Sequence, residues 1–121
     1  MTLRELYAVI GGDYDLAMRV LRMEKLLDKH IRKLPANRIF ADLAAAGERM
    51  DATAVFESAH AIKGVCANLG LMELSSAASE LAEEFRPEGE RRLSDEEVKQ
   101  KLLAFDELYQ KTVEGVSRYA G

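Results

Sequence analysis

Apolar residues recur along this chain at intervals of three and four, the spacing that lines one face of a helix, and no segment alternates with the two-residue period of a strand. Leu3 to Ile10 is a short apolar segment that opens on a capping box, Thr2-x-x-Glu5, and closes at Gly11-Gly12. Asp13 caps a second helix in which Leu16, Val20, Met23 and Leu27 recur until Leu34-Pro35 stops it. Asn37 opens a third through Phe40, Leu43 and Ala44 to Met50, and Asp51 caps a fourth. The fourth ends at Gly70, a natural left-handed residue past a helix terminus, and the next begins at Leu71. With almost no linker between them, these two helices are expected to form an antiparallel hairpin. Leu71, Leu74, Ala78, Leu81 and Phe85 supply the apolar face of the second arm, and Ser75, Ser76 and Ser79 are small enough for close packing or partial exposure. Pro87-Glu88-Gly89 ends that arm. Ser94-Asp95-Glu96-Glu97 is another capping box, after which Val98, Leu102, Phe105, Tyr109, Val113 and Val116 run towards the C-terminus.

This pattern predicts an all-α fold: an up-and-down antiparallel four-helix bundle with a short extra N-terminal helix, the N-terminal pieces covering one end. At 121 residues the chain is expected to form one domain, residues 1–121, around one core. Two prolines in the whole chain suit long helices. No apolar run approaches the roughly 18 to 20 residues of a membrane span, and Arg4 and Glu5 interrupt any signal-peptide core, so a cytoplasmic protein is expected. A net charge of −4 without a dense Lys/Arg face argues against nucleic acid and for a protein partner. The single cysteine, Cys66, excludes an intrachain disulfide and a cysteine-rich metal site.

The candidate chemistry lies between His60 and Gly70. At about 100° per residue, Val55, Ala59, Ile62, Cys66 and Leu69 fall on one side of the fourth helix, and His60 points away from them towards water. Cys66 therefore reads as a small buried hydrophobe. Within about 60° of His60 lie Thr53, Phe56, Glu57, Lys63, Gly64 and Ala67. A neutral imidazole is a good nucleophile near pH 7. Lys63, one turn on, can hold the oxygens of an incoming phosphoryl group. Gly64 costs roughly 1 kcal/mol against alanine in an exposed helix interior, so it calls for a reason, and close approach by another molecule is the simplest. Phe56 sits at the edge of the stripe, where it either serves docking or folds back into the core. Glu48, Arg49 and Glu57 are candidates for tuning partner choice. His30, within Asp28-Lys29-His30-Ile31-Arg32-Lys33, has no such neighbours and reads as solvated.

The motif His60-x-x-Lys63-Gly64, closed by Leu69-Gly70 and followed by Leu74 and Leu81, resembles the histidine-containing phosphotransfer (HPt) domains of bacterial phosphorelays. Ala59-His60, Ala67-Asn68-Leu69-Gly70 and Asp51 to Phe56 extend the similarity, which is clearest over residues 40–86. Ile62 stands where the family often has leucine, a change confined to the buried side. The resemblance implies a phosphoryl carrier: His60 takes the group from an aspartyl phosphate on one receiver domain and gives it to another. By the same resemblance Lys63 and Asn68 assist at the phosphohistidine, and Gly64 lets the receiver dock; Phe56 and Ala67, apolar groups on the stripe, and Glu57 beside them are the expected surrounding contacts. The resemblance further implies response-regulator receivers and a hybrid sensor histidine kinase as partners, Mg²⁺ bound on the receiver, and a monomer; no cofactor or metal on this chain and no membrane association are expected from the single cysteine and the absence of a long apolar run.

Autokinase activity is not expected, because no glycine-rich nucleotide segment lies between a strand and a helix, and the chain does not resemble the dimerisation helix of histidine kinases, in which a proline commonly follows the histidine closely, since its first proline after His60 is Pro87. The alternative from another class is a helical adaptor that binds a receiver or other signalling protein without transferring phosphate. Hydrolysis with His60 as general base ranks lowest, since Ser58 lies on the wrong side of the helix to serve it.

Overall fold

The computed structural model describes all 121 residues and contains seven α-helices, one turn of 3-10 helix and no strand. The helices are α1 (Leu3–Ile10), α2 (Tyr14–Leu21), α3 (Glu24–Lys33), α4 (Ile39–Arg49), α5 (Ala52–Asn68), α6 (Met72–Glu84) and α7 (Asp95–Ala120), with the 3-10 turn at Leu34–Ala36. The last four form the bundle: α5 packs between α4 and α6, α6 against α7, and α7 returns to α4. Short connections make successive helices antiparallel neighbours. One continuous core of 25 buried apolar side chains joins all seven helices.

The expected caps set the helix boundaries. Thr2 and Glu5 make a reciprocal capping box on α1, Ser94 and Glu97 make another on α7, and Asp51 accepts from the Ala54 amide at the start of α5. Asn37 accepts from the Ile39 amide at 3.1 Å, bracing the first turn of α4. Met50 turns the chain between α4 and α5 in the left-handed region, with φ of 49°.

Gly70 makes the corner between α5 and α6, with φ of 69°, and a Cβ there would lie 2.3 Å from the Asp13 carbonyl oxygen. Only glycine fits such a backbone at such a distance. The approach is used: the Asp13 amide donates to the Gly70 carbonyl at 2.8 Å, and Tyr7 Oη donates to the Leu69 carbonyl at 2.7 Å. The N-terminal helices are thereby latched onto the turn that ends α5. On its other side α1 packs against α7 at Gly115, where a Cβ would come within 2.4 Å of Ile10 Cγ2.

The N-terminal third departs from the expected pattern. In place of one helix from Asp13 to Leu34 with a single short helix before it, the chain breaks at Arg22, which adopts φ of 67°, and Met23 begins α3 without a side-chain cap. Of the four residues expected to line its apolar face, only Leu27 is buried; Leu16 is half-buried, and Val20 and Met23 are exposed. The buried positions are instead Ala17 on α2 and Leu27, Ile31 and Leu34 beyond the break. Ala17 and Leu27 are ten residues apart, about 80° out of phase on an unbroken helix. The kink brings both inward, so α2 stays pinned to the Gly70 corner while α3 turns to pack against α7.

Candidate functional site

The apolar stripe of α5 is buried as its spacing requires: Val55, Ala59, Ile62 and Cys66 have no exposed surface, and Leu69 is buried below them. His60 is exposed on the opposite side. The Phe56 ring lies nearly parallel to the imidazole, with centroids 5.7 Å apart and planes at 18°, while its remainder packs against the core. Phe56 is thus only half-buried: its ring lies beside the imidazole instead of folding wholly back into the core.

Thr53, Glu57, Lys63 and Gly64 are exposed along the same stripe, and Ala67 is half-buried at its far end. A Cβ on Gly64 would meet nothing within 4 Å. The glycine is therefore not a helix-packing contact within this chain. Glu48 and Arg49 are exposed at the end of α4.

Lys63 sits where α5 is held to α6. Its carbonyl accepts from Ser75 Oγ at 3.0 Å, a side-chain bond to a main-chain oxygen that fixes the two helices at this level. On α6, Glu83 is held below the usual carboxylate range first by the Arg86 hydrogen bond, with the positive charge of Lys63 adding to the effect. Ser58, two residues from His60, is half-buried. Burial alone pushes the Cys66 thiol up to about 12, which leaves it protonated and unreactive at neutral pH. Nowhere do three or more His, Cys, Asp or Glu side chains converge as a metal site.

Asn68 is exposed at the last turn of α5 and borders a cleft of about 350 Å³ with Val65, His30, Lys33 and Asn37. The polar tract of α3 is solvent-facing, as its sequence indicates, but folding brings His30 and Lys33 to the same cleft as Asn68. No periodicity within α3 could signal this, because the meeting is through space.

With this geometry in place, the Hpt domain family model matches residues 15–116, most of the chain and well beyond the 40–86 segment where the motif similarity is clearest. The chain belongs to the Hpt domain family. Comparison with curated proteins and with solved structures returns no significant match. In this Hpt domain the all-α bundle presents an exposed histidine on a helix whose opposite side is wholly buried. No helix of the Hpt domain is long and apolar enough to cross a membrane. A stiff α5, anchored along one side and clamped at Ser75, keeps His60, Lys63 and Gly64 in fixed relation.

Proposed function

We propose that this Hpt domain is a histidine phosphotransfer protein, carrying a phosphoryl group on His60 between receiver-domain aspartates in a two-component phosphorelay. The observation that carries this reading is the exposed His60 imidazole beside a glycine with open space around it, on a helix rigidly buried along its other side.

In the forward step a lone pair of the His60 imidazole attacks the phosphorus of an aspartyl phosphate in line. The N–P bond forms, the P–O bond to the aspartyl carboxylate breaks, and that carboxylate leaves on the receiver. The reverse of the same step loads the next receiver. Lys63 places its ammonium beside the phosphoryl oxygens, and Asn68 assists from the end of the helix. Gly64 lets the receiver backbone come close, with Phe56, Glu57 and Ala67 as the surrounding contact surface. Mg²⁺ held by the receiver neutralises the moving charge, so this chain supplies nucleophile, positioning and surface without a metal or cofactor of its own. It has no autokinase activity, and it works in the cytoplasm, fed by a hybrid sensor histidine kinase.

The test is transfer of labelled phosphate from a panel of phosphorylated receiver domains. Wild type should acquire an acid-labile, base-stable label. His60→Ala should acquire none while keeping its helical circular dichroism, and Lys63→Ala should load more slowly with little change in stability. Tight receiver binding without any label on wild type would make the protein an adaptor instead, and loss of folding in either variant would sink the exposed-stripe reading.

A further inference from the structure

The bundle does not close between α4 and α7. A groove of about 800 Å³ runs there, with Phe40, Leu43 and Phe105 in its apolar floor and no residue of α5 in its walls. Three contacts set the register of its two rims. At one end Gly47 lies against Leu102, so close that a Cβ would be 2.8 Å from Leu102 Cδ1. At the other, the Phe40 and Tyr109 rings stack at 4.2 Å, and Tyr109 Oη donates to the Pro35 carbonyl at 3.3 Å.

This register puts Glu48 and Lys99 at one end of the groove and Arg38 and Asp106 at the other. Charge therefore alternates around the opening: positive then negative along α4, and the reverse in space along α7. None of the four takes part in any ion pair of the chain. Between Lys99 and Asp106 on the α7 rim projects Leu103, 63% exposed, the most exposed large apolar side chain. Opposite it α4 offers Ala41 and Ala44, both exposed and both too small to obstruct anything laid over them.

We propose that this groove is the interface of a homodimer, in which a second copy, related by a two-fold axis running along the groove, lays its α7 over α4 of the first. The alternating rim is self-complementary under that rotation. Arg38 meets Asp106 of the second copy, Glu48 meets Lys99 of the second copy, and each contact occurs twice, as an isologous interface requires. Leu103 seats over the Ala41 and Ala44 strip of the opposite copy, a large side chain against a flat one, and its exposed surface leaves water. A two-fold axis across the groove would also pair opposite charges, but would set the two Leu103 side chains tip to tip. His60 stands on α5, outside the groove, so the dimer carries two unobstructed histidine faces. The proposed dimer departs from the monomer that the family resemblance implies.

Sedimentation velocity of the full chain at rising concentration and low ionic strength tests the proposal. Wild type should shift from monomer to dimer, and Leu103→Asp should remain monomeric and helical. Arg38→Glu and Asp106→Arg should each be monomeric alone, because each sets two like-charge pairs face to face. An equimolar mixture of those two variants should recover the dimer, since the two introduced charges then oppose each other and the native Arg38 and Asp106 meet across the other half. The two-fold axis across the groove predicts no such recovery. A wild type that stays monomeric throughout, a Leu103→Asp dimer, or a mixture that stays monomeric overturns the proposal. A monomeric wild type whose receiver binding is lost in Leu103→Asp would assign the groove to the receiver instead, and would overturn it equally.

Discussion

Gly64 separates local stability from function more sharply than any other residue on the candidate stripe. Its substitution by alanine adds a methyl into open space, removes the conformational freedom that makes glycine costly in a helix, and should stabilise the fold by about 1 kcal/mol. The same methyl stands where a receiver is proposed to approach His60, so phosphotransfer should slow, and Gly64→Gln should slow it further while still folding. Chemical denaturation and transfer rates measured on the two variants check this. A Gly64→Ala variant less stable than wild type would give the glycine a packing role instead. The identity of this stripe was legible in the sequence because burial on a helix is periodic: once Val55, Ala59, Ile62 and Cys66 are inside, His60 has to be outside. Phe56 could not be assigned in that way, since an aromatic ring at the edge of a stripe is long enough to reach both core and surface.

Among the elements, the loop from Phe85 to Ser94 shows how a single side chain fixes a connection that local pattern leaves open. Pro87-Glu88-Gly89 marks the end of α6, as its composition indicates, but the loop is held by Glu84, whose side chain is only 6% exposed. Its carboxylate accepts from Arg91 Nε at 2.8 Å, the Arg92 amide at 3.0 Å and the Leu93 amide at 2.9 Å. Burial by itself would raise this carboxyl, but the Leu93 amide, the Arg91 guanidinium and the Arg92 amide outweigh it and hold it below the ordinary glutamate value of 4.5. A carboxyl held lower in the folded than in the unfolded chain contributes stability that is fully present above that ordinary value and is lost as pH falls through the folded one. Glu84→Gln should therefore cost about 1–3 kcal/mol at neutral pH, and the gap to wild type should narrow as pH drops below 4.5. Denaturant midpoints of both proteins across that range check the sign. A gap independent of pH would mean that the carboxylate charge contributes nothing to holding the loop. Nothing in the spacing of Glu84 singles it out, because its partners become neighbours only when the loop folds back.

For the whole molecule, the decisive contacts join segments far apart in the chain. Gly115 admits α1 onto α7, and a Cβ there would lie 2.4 Å from Ile10 Cγ2 and 3.4 Å from Leu6 Cδ1. Gly115→Ala should cost about 1–3 kcal/mol by forcing α1 outward, and Ile10→Ala in the same chain should recover part of that loss, as thermal denaturation of the single and double variants would show. Labelling of His60, on a helix that does not touch this contact, should survive in both. The sequence alone determined the helical class, the caps at Thr2, Asp51 and Ser94, the corner at Gly70, the outward face of α5 and the family motif. Each of these depends on residues within a few turns of one another, through capping bonds, φ preference and the helical period. Tertiary structure alone decided the break at Arg22 and Met23, the joining of His30 and Lys33 to Asn68 around one cleft, and the open groove between α4 and α7. In each of those, helices distant in sequence compete for the same core, and packing against a neighbour overrides the phase that any one helix would keep by itself.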